Sequence, residues 1–163
     1  MGRVTGPGRA EAADGSVPLA RLFAIAYRQL VVELHNELRR RGWTDLRPAF
    51  GFALLAVRDR PLSNVELASV MGMTKQAAAK LVDAMVEAGY VVRSASAEDG
   101  RVRLVQLTAR GRRLQTTAEE IYVELESRWA QTIGPVRLAA LRDDLLTVLS
   151  KDQSEMPPVR PLW

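Results

Sequence analysis

The sequence contains no cysteine and only one histidine among its 163 residues. Without a thiol the chain can form no disulfide, thiolate metal site or cysteine-based redox sensor. The lone His35 has no cluster of His, Cys or carboxylate residues around it, so a structural role is favoured over metal binding. Nucleophile motifs, glycine-rich phosphate loops and paired-carboxylate signatures are also missing. We therefore expect no enzymatic activity, no catalytic residue, no metal and no cofactor.

Long apolar runs are missing as well. No stretch approaches the ~20 consecutive apolar residues of a membrane-spanning helix. The N-terminal MGRVTGPGRAEAADGS has no apolar centre of the kind found in secretory signals. We therefore expect a cytoplasmic protein with no membrane partner. Hydrophobic residues make up 47% of the chain and charged residues 26%, which is sufficient for one core domain with helical additions.

Positive charge is in slight excess, with a formal net charge of +4. A mildly basic chain suits a polyanionic partner. A general bias of the source proteome toward arginine would produce the same excess, so the total does not decide between these interpretations. The positions of the basic residues are therefore more informative than their sum.

The two ends of the chain show no helical or strand periodicity. Residues 1–17 are rich in glycine and are predicted to form a flexible N-terminal arm. Residues 151–163 contain three prolines, so this Pro-rich C-terminal tail cannot be a continuous helix.

Apolar residues recur at helical spacing in two regions, residues 18–45 and 109–150. They predict a first helix at about 18–41 and two last helices at about 109–132 and 135–149. Thr108 is suited to cap the helix that begins at about 109. These helices carry more apolar surface than one compact subunit can cover, and such patches usually mark an interface. We therefore expect a helical dimerisation region and a homodimer, with packing inside one chain as the alternative. The predicted dimerisation residues are Leu22, Leu30, Ile121, Leu125, Leu138, Leu141 and Leu145.

The segment 46–108 begins with two helices of different length. The first is predicted at about 46–59. Ser63-Asn64-Val65-Glu66 is a capping-box pattern, in which the serine and the glutamate bond to each other's backbone amides. It predicts the start of a short helix that ends near Val70. The buried residues expected on this helix are Val65, Leu67 and Ala68.

A third helix of this segment follows after Gly72, which interrupts the chain. Thr74 is suited to cap this helix, and the pattern continues to about Ala88. Two short helices joined across Met71-Gly72-Met73 have the layout of a helix-turn-helix.

The helix after Thr74 has two faces. One face carries the residues suited to packing, which are Ala78, Leu81, Val82 and Met85. The polar residues fall in the N-terminal half, where a recognition helix presents donors to base edges and phosphates in the major groove. An ordinary surface helix with a few lysines is the alternative. The predicted DNA-binding residues of this helix are Thr74, Lys75, Gln76 and Lys80.

A period of two residues then replaces the helical period. Strands are predicted at Tyr90–Ser94 and Arg103–Leu107, with a turn signal at Asp99-Gly100 between them. We interpret this hairpin as a wing. Arg101 and Arg103 are predicted DNA-binding residues, and Asp99 is a predicted brace that holds the Arg101 guanidinium for the minor groove. A plain surface salt bridge is the alternative.

These motifs together resemble the winged-helix core of the MarR family, the multiple-antibiotic-resistance regulators. The resemblance is carried by Asp99-x-Arg101, Leu107-Thr108-x-x-Gly111 and the turn from Leu81 to Val91, and it is specific within residues 63–111. The flanking helices extend it to roughly residues 18–150. One departure is Ala77-Ala78-Ala79, where the family often has Ser or Thr. It leaves fewer hydroxyls for base contacts and implies more reliance on phosphate contacts and DNA shape.

The resemblance implies a mainly α fold with a small β-hairpin wing. A winged helix-turn-helix DNA-binding domain at 46–108 would be flanked by N- and C-terminal dimerisation helices. It also implies a homodimeric, sequence-specific transcriptional regulator, a repressor, that binds a pseudo-palindromic site in double-stranded DNA. Arg101 would occupy the position of the wing-tip arginine. A winged-helix protein-interaction module and a non-specific architectural DNA binder are the alternatives.

The family resemblance further implies a small aromatic or anionic effector bound between the dimerisation helices and the DNA-binding domain. The aromatic residues that could line its site are Phe23, Tyr27, Trp43, Phe50 and Phe52. Core packing is the favoured interpretation for each of them, and the absence of any effector stays open.

Overall fold

The computed structural model describes residues 17–97 and 100–150. Most of the predicted arm, the whole predicted tail and Asp99 therefore lie outside the described residues. Within them the chain forms six helices and three short strands: α1 (Leu19–Arg40), α2 (Pro48–Ala56), β1 (Leu62–Ser63), α3 (Asn64–Met71), α4 (Lys75–Glu87), β2 (Val91–Ala95), β3 (Arg103–Leu107), α5 (Ala109–Ile133) and α6 (Pro135–Ser150). The predicted fold class, mainly α with a small hairpin wing, is confirmed.

The strands form an antiparallel sheet in the order β1-β3-β2. Val91 of β2 pairs with Leu107 of β3, and at the outer end Ala95 pairs with Arg103. The sequence did not predict β1, because a strand of two residues is too short to show an alternating pattern. Its pairing with β3 attaches the hairpin to the start of α3.

Helix starts are set by side-chain caps at the predicted positions. The Ser63 hydroxyl accepts from the Glu66 amide at 3.2 Å and the Glu66 carboxylate accepts from the Ser63 amide at 2.8 Å, so the capping box is confirmed. The bond from the Ser63 backbone amide foremost, and then the bond from the Arg60 guanidinium, lower the pKa of Glu66 to about 2. The Thr74 and Thr108 hydroxyls cap α4 and α5 in the same way.

Two predicted features of the region before α4 were wrong. The helix expected at about 46–59 is shorter, Pro48–Ala56, because the residue before Pro48 is held in an extended conformation. Val65 was expected to be buried, yet it is 54% exposed. It lies about 110° around the helix from the centre of the buried face formed by Leu67, Ala68 and Met71.

The core lies where α2, α3, α4 and the sheet meet the C-terminal half of α1 and the long helix α5. Its largest fully buried side chains include Tyr90, Phe50, Leu67 and Met85. The long helix α5 contributes to this core and also packs against α1 and α6. One helix thus connects the part of the chain that carries α4 and the wing with the helices at the two ends.

The predicted dimerisation residues fall into two groups. Ile121 and Leu125 of α5 are 0% and 1% exposed within the single chain. For these two the expectation was wrong, because the apolar stripe of α5 already faces the core at that level. The other residues keep exposed or half-buried side chains: Leu22 and Leu30 on α1, and Leu138, Leu141 and Leu145 on α6.

Helix α6 differs from the other helices because it has no fully buried residue. It rests on α5, and beside it an apolar groove is lined by Leu30, Trp129, Leu138 and Leu145. No helix in the described part of the chain is long and apolar enough to cross a membrane. Within the same residues, no group of three or more potential metal ligands comes together.

Candidate nucleic-acid interface

Helix α4 presents the polar surface expected of a recognition helix. Ala78 and Val82 are fully buried against the core, which fixes the rotation of the helix about its axis. The four predicted residues at its N-terminal end and in its N-terminal half are all exposed: Thr74, Lys75, Gln76 and Lys80. Of the three consecutive alanines, only Ala77 is exposed. The surface therefore offers two ammonium groups, one amide and one methyl group.

The turn before α4 determines where this helix begins. Gly72 has φ 64° and ψ 33°, a left-handed conformation that favours glycine. The Met73 amide then donates to the Ala68 carbonyl at 3.0 Å, which closes the end of α3. Thr74 caps α4 through a 3.1 Å bond from the Ala77 amide. The start of α4 is thus fixed by backbone geometry and by the Thr74 cap.

The hairpin of β2 and β3 forms the candidate wing. Its outer end is closed by a bond from the Ser96 amide to the Val102 carbonyl at 2.9 Å. Arg101 and Arg103 are both exposed there. The predicted brace, Asp99, lies outside the described residues, so its role stays a prediction.

The strand register shows which face of the wing looks toward α4. Residues paired across antiparallel strands share a face, so Arg93, opposite Val105, and Arg103, opposite Ala95, lie on one face. The Arg93 guanidinium bonds to the Asp83 carboxylate of α4 at 2.6 Å. Arg103 is therefore placed on the sheet face that adjoins α4, further out toward the tip.

The junction of α4, β2 and α5 is held by Thr108 and Gly111. The Thr108 hydroxyl donates toward the Gly89 carbonyl at 2.7 Å and lies 3.0 Å from the Tyr90 carbonyl, while it accepts from the Gly111 amide at 3.0 Å. A Cβ atom added to Gly111 would stand 2.2 Å from the Tyr90 carbonyl oxygen. The motif Leu107-Thr108-x-x-Gly111 thus brings α5 into direct contact with the chain that leaves α4.

Four side chains next to this junction form a second, polar and aromatic group, which we call the junction cluster: Trp43, Asp45, Tyr90 and Arg110. The Tyr90 hydroxyl donates to Asp45 Oδ1 at 2.6 Å, and the Arg110 guanidinium donates to Asp45 Oδ2 at 3.2 Å. The same guanidinium lies 5.3 Å from the centre of the Trp43 ring and 5.0 Å from that of Tyr90.

Ionisation in the junction cluster follows from these contacts. Burial, and then the bond to Asp45, raise the pKa of Tyr90 to about 12, so the hydroxyl stays protonated as a donor. The Tyr90 hydrogen bond, with a smaller contribution from Arg110, lowers the pKa of Asp45 below its usual value. At neutral pH the cluster therefore holds a carboxylate between a hydroxyl and a guanidinium.

A cavity of about 390 Å³ lies between α1, α2 and α5. Of the five aromatic residues considered for an effector site, Tyr27 and Phe52 line it. Phe50 is buried in the core, Trp43 belongs to the junction cluster and Phe23 is exposed on α1. The lone His35 also lines the cavity, and its Nδ1 lies 2.8 Å from the Val31 carbonyl.

Sequence reasoning missed the junction cluster and the bond between Asp83 and Arg93. Asp45 and Tyr90 are 45 residues apart in the chain, and no periodic pattern connects a loop residue with one that follows a helix. A signal did exist at Gly111, because the motif that contains it was recognised. Its physical reason, the close approach to the Tyr90 carbonyl, is visible only in three dimensions.

These features define a winged helix-turn-helix protein. Residues 51–102, which include α3, α4 and β2, match the family model of the MarR family. The chain also has the fold of solved MarR-family transcriptional regulators, so the resemblance seen in the sequence is confirmed. Solved proteins that share this fold are described as transcriptional regulators.

Three solved structures illustrate the likeness. The reduced form of MarR from E. coli is 24% identical, with a TM-score of 0.70 over 83% of this chain and 99% of that one. A transcriptional regulator from Thermotoga maritima is 21% identical, with a TM-score of 0.67 over 85% and 98%. A mutant of S. aureus MepR bound to an oligodeoxyribonucleotide is 18% identical, with a TM-score of 0.58 over 85% and 100%. No curated protein matches the chain.

Proposed function

We propose that the protein is a sequence-specific DNA-binding transcriptional regulator that binds a pseudo-palindromic duplex as a homodimer. The observation that carries the proposal is the exposed N-terminal half of α4, with Lys75, Gln76 and Lys80, beside a wing that ends in Arg101 and Arg103. The solved relative with an oligodeoxyribonucleotide supports the same partner.

Each exposed group on α4 can bond to, or contact, a particular group of the DNA in or beside the major groove. The Gln76 amide can bond to the N6 and N7 edge of adenine, and the Ala77 methyl group suits contact with a thymine methyl. Lys75 and Lys80 suit phosphate oxygens or the acceptor edge of guanine. In the wing, Arg101 would enter the minor groove, where a narrow A·T-rich segment attracts a guanidinium.

Pairing of two copies is supported by the surface of the terminal helices. Leu19, Leu22 and Ile25 of α1 and Val136 and Leu149 of α6 are large exposed apolar residues. They lie on the same two helices that border the apolar groove beside α6. Large exposed apolar patches usually mark an interface. A second copy of this chain would cover both helices through one two-fold contact.

We also propose that the protein represses transcription. Repression is supported by the solved relative called the multiple antibiotic resistance repressor, which is 24% identical and has a TM-score of 0.67. A dimer that occupies one turn of duplex or more can exclude other proteins from the same DNA.

The proposal is tested by selecting bound duplexes from a genomic fragment library and measuring the mass of the protein in solution by light scattering. We expect the mass of two chains and a selected site bound at least 10³-fold more tightly than random duplex, as is typical of specific binders. Equal affinity for every duplex would indicate an architectural binder. No binding even at low salt would indicate a protein-interaction module, and the mass of one chain would contradict the dimer.

We further propose that the cavity between α1, α2 and α5 binds a small aromatic or anionic effector. Its wall is mainly apolar, with Tyr27, Leu34, Phe52 and Leu55 among the lining residues, and Arg47 also borders it. Its volume falls in the range of small-molecule sites. A ligand there would contact α1, α2 and α5, so it could alter the angle between α2 and the two long helices.

The effector proposal predicts a thermal shift that depends on the space beside Gly51. This glycine lines the cavity, and a Cβ atom added to it would meet no heavy atom within 4 Å. In a panel of small aromatic acids, we expect at least one compound to raise the melting temperature by about 5 °C or more at 100 times its Kd. Gly51→Leu should abolish that shift while Gly51→Ala retains part of it. A panel without any effect on the wild type, or equal shifts in Gly51→Leu, would contradict the proposal.

A further inference from the structure

The junction cluster joins three parts of the chain that are far apart in sequence. Trp43 and Asp45 lie in the linker that follows α1, and Arg110 lies in the first turn of α5. Tyr90 lies directly after the turn that ends α4. The cluster therefore connects the two long helices of the proposed dimer region with the C-terminal end of the recognition helix.

The contacts in this cluster are directional, unlike those of the apolar core around it. Burial of apolar surface favours any compact arrangement, whereas the Tyr90 to Asp45 bond at 2.6 Å accepts one relative position of the two groups. The Arg110 guanidinium contacts the rings of both Trp43 and Tyr90, which restricts that position further. The cluster is thus suited to fix an orientation in addition to stabilising the fold.

Other polar links between α5 and the winged-helix region end elsewhere. Gln115 donates to the Leu54 carbonyl at 2.7 Å, and Arg58 pairs with Glu119 at 3.4 Å through exposed side chains. The first link holds α2 and the second holds the turn after α2, and neither involves a residue of α4. Among the described side chains, the junction cluster and Thr108 are the ones that tie α5 to the residues immediately after α4.

We propose that the junction cluster sets the angle of the recognition helix α4 relative to α1 and α5, the two long helices of the proposed dimer region. This angle would set the spacing between half-sites that the dimer accepts. This inference rests on the proposed function. Asp45, Tyr90 and Arg110 act as positioning residues, through α4 and without contacting DNA. In a two-fold dimer, any change of this angle moves the two recognition helices in opposite directions, so a small local rotation is doubled between them.

The spacing between half-sites that the dimer accepts is a sensitive measure of the angle of α4. One inserted base pair displaces a half-site by about 3.4 Å and rotates it by about 34° around the duplex axis. A dimer whose recognition helices are held rigidly cannot bind both half-sites after this displacement. A dimer with a loosened junction can move its recognition helices part of the way. A loosened dimer should therefore bind the correct spacing less tightly and discriminate less against the wrong one.

The first experiment measures the separation of the two recognition helices without DNA. Because the chain has no cysteine, Gln76→Cys gives one spin-label site per subunit, and electron–electron dipolar spectroscopy gives the distance distribution between the two labels. We expect a narrow distribution in the otherwise unchanged protein and one at least 1.5 times broader with Tyr90→Phe or Asp45→Asn. Tyr90→Phe removes a single oxygen from a fully buried side chain, so the fold is retained.

The second experiment compares the selected duplex with versions lengthened or shortened by one base pair between the half-sites. We expect the wild type to bind the altered duplexes at least tenfold more weakly, and this ratio to fall at least threefold in Tyr90→Phe and in Asp45→Asn. Glu119→Gln is the matched control, because it weakens the exposed pair with Arg58 and leaves the junction cluster intact. A loss of folded protein lowers the affinity for all duplexes equally and does not change the ratio.

The outcomes separate this inference from the proposed function. A wild-type dimer that binds its selected duplex, together with unchanged label distances and spacing ratios in both variants, overturns the inference alone. The same holds if Glu119→Gln broadens the distribution as much as Tyr90→Phe does. A wild type that is monomeric or binds no duplex overturns the proposed function, and the inference falls with it.

Discussion

Gly111→Ala will destabilise the protein by about 3 kcal/mol or more, at the upper end of the cost of overpacking a well-packed site. The added Cβ atom would stand 2.2 Å from the Tyr90 carbonyl oxygen and 3.2 Å from Leu107 Cδ2. Because the nearest atom belongs to the backbone, relief requires α5 and the end of α4 to separate. That movement would also break the bonds of the Thr108 hydroxyl. For a chain of this size, the expected loss of melting temperature is about 6–12 °C.

Gly51→Ala is the matched control for this prediction. It makes the same chemical change in a helix, but its Cβ atom would meet nothing within 4 Å. Alanine has a higher helix propensity than glycine by about 1 kcal/mol, so this variant should melt at or above the wild-type temperature. Thermal unfolding followed by circular dichroism measures both changes. Equal melting temperatures of wild type and Gly111→Ala would show that α5 does not approach Tyr90 as closely as described.

Replacing Lys75 and Lys80 together by alanine should nearly abolish DNA binding. Each phosphate contact contributes about 0.9 to the slope of log K against log salt. A dimer that loses two contacts per subunit would lose about 3.6 from this slope and about 10³-fold in affinity at 0.1 M salt. Alanine is the best helix former, and both lysines are exposed, so the melting temperature should not fall.

The control for the lysine pair removes the same charge from a different place. Arg39 and Arg40 are exposed at the C-terminal end of α1. Their joint replacement by alanine should change the affinity for DNA by about threefold or less, because charges that contact no phosphate contribute only a screened, long-range attraction. Fluorescence anisotropy with the selected duplex over a series of salt concentrations measures both variants. Comparable losses in the two would mean that total charge, and not the surface of α4, determines binding.

The local elements of the fold could be predicted from the sequence because their causes are local. The serine and threonine caps at positions 63, 74 and 108 were recognised, and the strand Arg103–Leu107 has the predicted bounds. These features depend on neighbours within a few residues. The exposed polar half of α4 was also predictable, since its apolar partners recur at helical spacing on the other side.

Burial on the long helices was predicted less well. An apolar stripe on α5 is equally suited to a core and to a dimer interface, and periodicity alone does not distinguish them. Ile121 and Leu125 face the core of their own chain, while Leu141 on α6 is exposed. The distinction depends on which helix packs against which, and therefore on the path of the whole chain.

The capped helix starts, the helix-turn-helix, the hairpin and the positive residues on them follow from the amino-acid sequence alone, because each depends on interactions between near neighbours. The covered apolar faces, the contact of Gly111 with the Tyr90 carbonyl and the meeting of Asp45, Tyr90 and Arg110 follow only from the folded chain. Contacts between distant segments depend on the packing angles of helices, and those angles result from the shape of all the packed side chains together.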